Sequence, residues 1–392
     1  MKKTIILFLT SKPYDGGKYQ YSLALVEALS NYDKKKYKII FFYFGDHWLE
    51  FVDKYDNVRI PSNSLFVRTI KKIVFLSNKK LGYKIWKFLG YYIDKVQVKI
   101  KKANPDLIIF ASKDLICLEV KFAFAIPIFD LMHKYEKFDE ISNAKIYEDR
   151  ETYYKEICKN AKIIFVDSIV GKKQVINNYN IRNNDIIKVL YYIPPSYIRT
   201  NFVNPKEIYK SKNQFFYPAQ FWSHKNHEVI IYAVDYLKKN SIDVKVVFAG
   251  SKKNNYNKIK DLINELNLNE NIQILDYVSN DDIISLYKNS LSLIMSTFCG
   301  PTNIPPTEAI HLGCPVIASN VYAAKEQLED SALFFDPHDY MSLSKSMKSM
   351  IDNPILVSEL IQKGNNIKKK FSITNFSNSI FNSIDNFFEY EN

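Results

Sequence analysis

Cysteine is scarce in this sequence of 392 residues, and the four cysteines form no recognisable pattern. Cys117, Cys158, Cys299 and Cys314 lie far apart and include no CxxC pair, so neither a zinc site nor a disulfide scaffold is indicated. Long apolar runs are also missing, since no stretch approaches the roughly 18 residues of a membrane span. The short apolar stretch after the first three residues lacks a cleavage site, so we interpret it as a buried strand rather than a signal peptide.

Several signatures of catalysis and binding are absent as well. The glycine pair Gly16 and Gly17 is not a GxGxxG fingerprint, so dinucleotide binding is unsupported. The adjacent carboxylates Asp281 and Asp282 are assigned to a helix start, and no convincing pair of carboxylates at glycosidase spacing is found. The net charge of +12 comes without any nucleic-acid-binding motif. We therefore expect neither a bound metal ion nor a nucleic-acid partner.

Length and patterning predict two domains. A chain of 392 residues with 47% apolar residues is globular and too long for one ordinary core. In both halves short apolar strands alternate with helical stretches, which predicts α/β structure with parallel sheets covered on both sides. We predict an N-terminal Rossmann-like domain at 1–195, a second Rossmann-like domain at 196–370, and a C-terminal helix at 371–392. The boundary is placed in the proline-containing stretch 189–205, which has no periodicity.

The stretch 296–319, STFCGPTNIPPTEAIHLGCPVIAS, is the densest in chemistry. It follows an apolar run typical of a buried strand, and it leads into a helix that Gly313 should terminate. Its two adjacent prolines are tolerated only in a first helical turn, so we predict that the helix begins there with Glu308 in that turn. The helix N terminus, at the carboxyl end of a sheet, is suited to bind phosphate.

A basic and aromatic segment lies at 68–102. It contains many lysines, one acidic residue (Asp94), and apolar residues that include Trp86, Phe88 and Tyr92. Two interpretations stay open at this level. The segment either lies on an anionic membrane surface, or packs its apolar face on the domain and leaves the lysines as a solvated face.

This layout resembles the retaining GT-B glycosyltransferases of family 4. The matching stretches are DGGKYQYSLALVEAL, YPAQFWSHKNHEVIIYA, ILDYVSNDDIISLYKNS and GPTNIPPTEAIHLGCPVIAS. The resemblance implies the GT-B fold, in which two Rossmann-like domains face each other across a cleft and a C-terminal helix crosses back to the first domain. It also implies metal-independent transfer of a sugar from a nucleotide-sugar substrate, with no cofactor.

The resemblance assigns donor-binding roles to residues in both halves. Glu308 matches the glutamate that binds the ribose of the donor. Lys225, which is also a catalytic candidate, matches the lysine that neutralises the diphosphate, and the accompanying arginine of the family falls on Gln220. Gly16 and Gly17 match the glycine loop beside the donor phosphate. The remaining donor-binding candidates, through their backbone amides, are Thr302, Asn303 and Ile304.

Two positions depart from the family pattern. The first glutamate of the family, which touches the donor sugar, falls on Gly300, and Asn303 is the candidate to supply that contact instead. The usual histidine at the end of the strand IPIFDLMH falls on Phe129, which leaves Asp130 and His133 as the polar candidates for catalysis on the acceptor side.

The sequence therefore predicts a hexosyltransferase that uses a UDP- or GDP-linked sugar and a glycan or lipid-linked glycan acceptor in surface polysaccharide synthesis. We expect the protein to be cytoplasmic. The basic and aromatic segment 68–102 motivates the further hypothesis that the protein lies peripherally at the inner face of the membrane. The alternative is a GT-B protein without transfer activity that serves as a glycan-binding or assembly subunit. The departures at Gly300, Gln220 and Phe129 motivate that alternative.

Overall fold

The structure is a computed structural model that describes residues 2–76, 79–181, 183–200, 204–207, 211–276 and 278–390. Its strands form two separate sheets, and all strand pairs in the described residues are parallel. Helices follow most of the strands, as expected for chains in which each crossover returns over a face of a parallel sheet. The predicted fold class, α/β with two Rossmann-like domains, is confirmed.

The first sheet is formed by the N-terminal half. Its strands are β1 (Lys3–Leu9), β2 (Tyr37–Tyr43), β3 (Asn57–Arg59), β4 (Leu107–Phe110), β5 (Phe124–Pro127), β6 (Ile163–Val166) and β7 (Ile187–Val189). They are arranged in the order β3-β2-β1-β4-β5-β6-β7. The order reverses direction between β1 and β4, and open α/β sheets leave a ligand-binding crevice at such a switch point.

Helices cover both faces of this sheet. They are α1 (Gly17–Ser30), α2 (Leu49–Val52), α3 (Leu65–Leu76), α4 (Lys79–Ile93), α5 (Lys95–Ala103), α6 (Met132–Tyr135), α7 (Asp139–Ser142), α8 (Ala144–Asn160), α9 (Ile169–Asn178) and α10 (Ser196–Thr200). The predicted apolar face of α1 is confirmed, since Tyr21, Leu25 and Leu29 are buried. Strands β4, β5 and β6 are buried along their whole length, as apolar strands covered on both faces must be.

The second sheet repeats the same plan. Its strands are β8 (Gln214–Pro218), β9 (Lys245–Ala249), β10 (Ile272–Leu275), β11 (Ser292–Met295), β12 (Val316–Ser319) and β13 (Ala332–Phe335), in the order β10-β9-β8-β11-β12-β13. The switch point of this sheet lies between β8 and β11. The loops that follow these two strands contain Lys225 and the stretch 296–303. The residues predicted to bind the donor therefore lie where a ligand should bind in such a sheet.

The helices of the second half are α11 (His227–Lys239), α12 (Tyr256–Glu265), α13 (Asn280–Asn289), α14 (Ile304–Leu312), α15 (Ala324–Leu328), α16 (Tyr340–Asp352), α17 (Pro354–Ile367) and α18 (Ile373–Tyr390). The last of these crosses back to the first domain, as predicted. Phe376 of α18 packs edge-on against Tyr21 of α1 with 6.1 Å between the ring centroids, and Asp385 forms an ion pair with Lys36 and accepts a hydrogen bond from Tyr37.

The structure also contains strands that the sequence pattern did not reveal. β3 and β7 are three-residue edge strands, too short for an alternating or apolar run to stand out. β13 lies in a stretch to which the sequence analysis assigns no element. The first sheet ends at Val189 and the second begins at Gln214, while the boundary after residue 195 stays a prediction. Among the described residues, no helix has the length and apolar character needed to cross a bilayer.

Candidate functional site

The two switch points face each other across a cleft. A Cβ atom added to Gly17, at the start of α1, would lie 3.4 Å from the Cδ1 atom of Ile304 at the start of α14. A Cβ atom added to Gly16 would lie 4.0 Å from the amide nitrogen of Gln220. The structure therefore brings the glycine pair of the first domain against the predicted donor-binding residues of the second.

Gly16 needs the conformational freedom of glycine. Its φ of 60° and ψ of −124° lie in a region that side-chain-bearing residues rarely adopt. This conformation turns the chain from the short 3-10 helix Pro13–Asp15 directly into α1. The N-terminal end of α1, with its positive dipole end, thereby lies at the cleft.

Helix α14 ends as predicted but begins earlier than predicted, and Glu308 does not lie in its first turn. The helix begins at Ile304, one residue before the two prolines, and ends at Gly313, whose φ is 71°. Because of this earlier start, Glu308 is the fifth helical residue. Its side chain is buried, and it accepts a hydrogen bond of 2.6 Å from the hydroxyl of Tyr287 on α13.

The environment of Glu308 makes its carboxyl group unusually basic. Burial raises the pKa of Glu308 to about 7, although the hydrogen bond from Tyr287 opposes this shift. Its carboxylate has no ion pair among the described residues. A buried carboxyl group without a cation is costly to keep ionised, so a ligand that donates hydrogen bonds to it would be held tightly.

Lys225 is held in place by its backbone, while its ammonium group has no partner. Its carbonyl oxygen accepts hydrogen bonds from the hydroxyls of Tyr217 on β8, at 2.7 Å, and Ser296 after β11, at 3.1 Å. The following residue, Asn226, has a φ of 54° that ends the 3-10 turn Ser223–Lys225. The partly buried ammonium group makes no hydrogen bond or ion pair with any residue that the structure describes, and burial lowers the pKa of Lys225.

Gln220 presents its amide nitrogen to the cleft. Its side-chain oxygen accepts a hydrogen bond of 2.9 Å from the indole of Trp222. This bond engages the oxygen of the Gln220 amide, whereas the nitrogen of the amide lies near Gly16. Gln220 therefore offers N–H donors where the family pattern has an arginine, but no charge.

The loop before α14 offers fewer free amides than we predicted. The N–H and hydroxyl groups of Thr302 both donate to Asp167, at 2.9 and 2.5 Å. The N–H group of Asn303 donates to the side chain of Gln327, at 3.1 Å, which also donates back to the Asn303 carbonyl oxygen. Of the three predicted amides, only that of Ile304 has no acceptor among the described residues, and the two prolines after it have no N–H.

Asp167, Gln327 and Tyr287 are site residues that the sequence analysis missed. Asp167 lies in the first domain, at the carboxyl end of β6, so its bond to Thr302 joins the two domains. Burial raises the pKa of Asp167 to about 7, against the hydrogen bonds from Thr302 and Ser168. Its position directly after a buried strand was the signal that could have revealed it.

Gly300, which stands at the position of the family glutamate, has a backbone conformation that favours glycine. Its φ is 98°, and a Cβ atom would lie 3.1 Å from the Thr302 carbonyl oxygen. The amide group of Asn303 lies 3.4 Å from the same point. The Asn303 side chain therefore lies next to residue 300, and its contact with the donor sugar stays a prediction.

Asp130 and His133 have different surroundings in the first domain. Asp130 forms an ion pair with Arg150 and accepts a hydrogen bond of 2.9 Å from the backbone N–H of Met132. Burial by itself would raise the pKa of Asp130, but the Arg150 charge and the hydrogen bonds from Met132 and Arg150 together outweigh it, so the pKa lies below its ordinary value. His133 is buried, and its Nε2 atom lies 2.9 Å from Glu151 of α8, with a pKa lowered by burial. This placement favours a structural role for His133, and the catalytic roles of both residues stay predictions.

Polar contacts join the two domains across the cleft. Glu140 of α7 accepts hydrogen bonds from the backbone and the imidazole of His224, at 3.1 and 2.9 Å. Glu326 of α15 accepts from the N–H groups of Ile169 and Val170 at the start of α9, at 2.6 and 3.0 Å. Of the predicted donor residues, Thr302 and Glu308 are buried, Gln220, Lys225, Asn303 and Ile304 are half-buried, and the glycine pair is exposed.

The part of the chain that the structure describes contains no group of three metal-ligating side chains. Asp281 and Asp282 lie in the first turn of α13, as predicted, where Ser279 is the N-cap. Asp282 also forms an ion pair of 2.5 Å with Lys206. Metal independence stays a prediction.

Comparison with known proteins agrees with this architecture. Residues 198–367 match the model of the family described as glycosyl transferases group 1. The O-antigen chain mannosyltransferase RfbU of Salmonella typhimurium is 25% identical over 224 residues, which cover 57% of this chain and 60% of that relative. The aligned stretch is therefore less than two thirds of the relative's length.

Two solved structures superimpose over nearly the whole chain. A glycosyltransferase from Rickettsia africae gives a TM-score of 0.71 at 18% identity and covers 99% of both chains. The protein Alr3699/HepE of Anabaena, in complex with UDP, gives a TM-score of 0.72 at 14% identity and covers 98% of this chain and 100% of its own. The two domains and their cleft thus define a GT-B fold. The resemblance to the GT-B glycosyltransferases is confirmed, with residues 198–367 as the part that the family model matches.

Proposed function

We propose that this chain transfers a hexose from a UDP- or GDP-linked donor to a glycan or lipid-linked glycan acceptor in surface polysaccharide synthesis. The observation that carries the proposal is the combination, at one switch point, of the buried carboxyl group of Glu308 and the unpaired ammonium group of Lys225. A nucleoside diphosphate needs both, because its ribose diol donates hydrogen bonds and its diphosphate is anionic. The O-antigen activity in the Salmonella relative's name and the UDP bound to the Anabaena protein support the acceptor and donor classes.

The proposed reaction proceeds with retention of configuration and without a metal ion. The bond from the sugar carbon to the diphosphate breaks, a bond to the acceptor hydroxyl oxygen forms on the same face, and the hydroxyl proton passes to the departing phosphate. Lys225, the amide of Ile304 and the dipole of α14 stabilise the charge that develops on the leaving group. Because Gly16 and Gly17 have no side chains, their backbone can lie directly beside the diphosphate of the donor.

Asn303 is the residue that we assign to the donor sugar. Its amide lies beside Gly300, where the family has a glutamate, and its backbone is fixed on both sides by Gln327. An asparagine both donates and accepts hydrogen bonds, whereas a glutamate only accepts, so we expect a different set of sugar hydroxyls to be preferred. Asn303→Ala should change the ranking of donor sugars while nucleoside diphosphate binding stays within about twofold.

Calorimetric titration with UDP, GDP, ADP and their sugars tests the proposal. We expect one base to bind the wild type, and Glu308→Ala and Lys225→Met each to weaken binding by more than about tenfold. Lys239→Met, at an exposed lysine paired with Asp235, is the matched control and should leave binding unchanged. Nuclear magnetic resonance of the product would report the anomeric configuration, and a chelator would test metal independence.

The alternative, an assembly subunit without transfer activity, is not favoured. Gly300 has a positive φ that fits its loop, and Gln220 still directs an N–H donor to the cleft. Phe129 packs against Tyr21 with 5.2 Å between ring centroids, so it fills space in the first domain. If no nucleotide or nucleotide sugar bound to the folded protein, the alternative would replace the proposed function.

A further inference from the structure

Helix α4 presents an apolar face to solvent. Ile85, Phe88, Leu89 and Tyr92 are exposed, with 60% exposure for Phe88 and 59% for Tyr92. Their spacing of i, i+3, i+4 and i+7 places all four on one side of the helix. Surface helices normally place such a stripe towards the core, so an exposed stripe indicates a surface that contacts something else.

The opposite face of α4 already packs on the protein, so the fold does not need the exposed stripe to hold this helix in place. Trp86 is fully buried. A Cβ atom added to Gly90 would lie 2.4 Å from the side chain of Gln97 on α5, which shows how closely the two helices approach. Rotating α4 to bury the stripe would break this packing. The interpretation that the apolar face packs on the domain is therefore correct for Trp86 and wrong for the stripe.

Helix α3 extends the same kind of surface. It packs against α4, where the rings of Phe75 and Tyr83 lie 4.9 Å apart. Leu65 and Phe66, in its first turn, are 79% and 73% exposed, and Ile73 is exposed two turns later. We define the α3–α4 face as this set of exposed apolar residues: Leu65, Phe66, Ile73, Ile85, Phe88, Leu89 and Tyr92.

The charged residues within α3, α4 and α5 are all lysine or arginine, and one of them, Lys71, is paired with the buried Glu119 at 2.6 Å. From residue 65 to residue 103 the sequence contains 11 lysines and arginines and the single acid Asp94. Asp94 is buried, and its carboxylate caps α5 by accepting from Val96 at 2.9 Å, so it does not offset the surface charge. Lys72 and Lys84 are exposed, and the ammonium groups of Lys101 and Lys121 lie 5.0 Å from the ring centres of Tyr92 and Phe88, respectively.

We propose that the α3–α4 face docks the protein on an anionic phospholipid bilayer. The apolar side chains would enter the boundary between headgroups and acyl chains, and the surrounding lysines would contact lipid phosphates. A second copy of this chain is disfavoured as occupant, because two surfaces of the same high positive charge repel. Nucleic acid matches the charge but leaves the aliphatic side chains in water.

This inference does not depend on the proposed function, because docking is measured without donor or acceptor. Its two components, apolar and electrostatic, lie on different side chains and can be removed separately. Phe66→Ser with Phe88→Ser removes one exposed aromatic from each helix, and Lys72→Glu with Lys84→Glu reverses two exposed charges. None of these four side chains contacts the cleft residues in the described structure, so nucleotide binding should be unaffected.

Flotation of the full chain with lipid vesicles tests the inference. We expect the wild type to float with vesicles that contain about one third phosphatidylglycerol and to remain largely unbound with pure phosphatidylcholine. The serine pair should reduce the bound fraction about tenfold, and the glutamate pair should remove the preference for anionic vesicles. Sedimentation without lipid should give a single mass for all variants.

Matched controls lie on the second domain. Tyr232→Ser with Tyr236→Ser removes two exposed aromatics of α11, and Lys260→Glu with Lys345→Glu reverses one exposed charge on α12 and one on α16. Both pairs should float as the wild type does. The proposal would be overturned if the serine pair floated as the wild type does, or if the wild type bound equally to neutral and anionic vesicles. It would also be overturned if the wild type did not bind vesicles but formed a dimer that the serine pair dissociates.

Discussion

Replacing Tyr287 by phenylalanine removes the only hydrogen bond that the carboxyl group of Glu308 receives from the described residues. The hydroxyl of Tyr287 donates to Glu308 at 2.6 Å, and this bond opposes the burial that raises the pKa of Glu308 to about 7. A phenylalanine keeps the ring, which packs at 5.0 Å from the ring of Phe216. The substitution therefore isolates the effect of one hydroxyl on the ionisation of one carboxyl group.

The size of the effect follows from the strength of such a bond. A hydrogen bond to a charged group contributes about 1.5–3 kcal/mol, so its loss moves the midpoint of Glu308 ionisation upward by about one to two pH units. At pH 7 the wild-type carboxyl group is about half ionised, whereas that of the variant would be about 1–10% ionised. If the ribose binds the ionised form, affinity for the nucleoside diphosphate at pH 7 falls about 5- to 50-fold.

The sign of the pH dependence is the decisive readout. Raising the pH ionises Glu308 in both proteins, so at pH 9 the deficit should shrink to about twofold or less. Titration of the nucleoside diphosphate by calorimetry from pH 6 to pH 9 would measure this change. Tyr153→Phe, at a buried tyrosine whose hydroxyl bonds to the backbone of Asp114 in the first domain, is the control for loss of a buried hydroxyl. A Tyr287→Phe profile that is parallel to the wild type would refute the reasoning.

Three further predictions concern the same cleft. Lys225→Met should weaken nucleoside diphosphate binding by more than about tenfold with little change in Tm, because the ammonium group has no partner to lose; equal affinity in calorimetry would exclude Lys225 from the site. Glu308→Gln should raise the free energy of unfolding by up to about 3 kcal/mol at pH 8, but not at pH 4. A carboxyl group whose pKa rises from 4.5 to about 7 on folding costs stability as the pH rises through this window. Thermal melts at both pH values would measure the difference. Gly16→Ala should cost about 1–3 kcal/mol because of the positive φ, whereas Gly364→Ala, with its nearest neighbour atom 3.6 Å from the added carbon, should not lower Tm.

Much of the fold could be predicted because its signals are local. The apolar strands, the helix that has the two prolines in its first turn, and the end of that helix at Gly313 follow from residue preferences within a few positions. The same is true of the first turn of α13, where Ser279 caps the helix and two aspartates follow. The three-residue strand Asn57–Arg59 was missed, because its pairing with β2 is decided by the sheet and not by its own residues.

The candidate site was predictable in part. Residue types and motifs pointed to Glu308, Lys225 and the glycine pair, whereas the partners of these residues come from distant parts of the chain. Tyr287 was assigned to a helix from the sequence, but nothing in the pattern indicated that its hydroxyl binds a carboxyl group. The amides of Thr302 and Asn303 were assigned to the donor because their other partners could not be seen.

The sequence by itself determined two Rossmann-like halves, the loop and helix around Glu308, and the concentration of positive charge at 68–102. Only the tertiary structure decided that Thr302 bonds to Asp167, which is 135 residues away in the other domain. It also decided which side of α4 faces solvent, since amphipathic periodicity shows that two faces differ but not which one the core buries. The physical reason is the same in both cases: hydrogen-bond partners and burial depend on how distant segments pack, whereas helix ends and strands depend mainly on neighbouring residues.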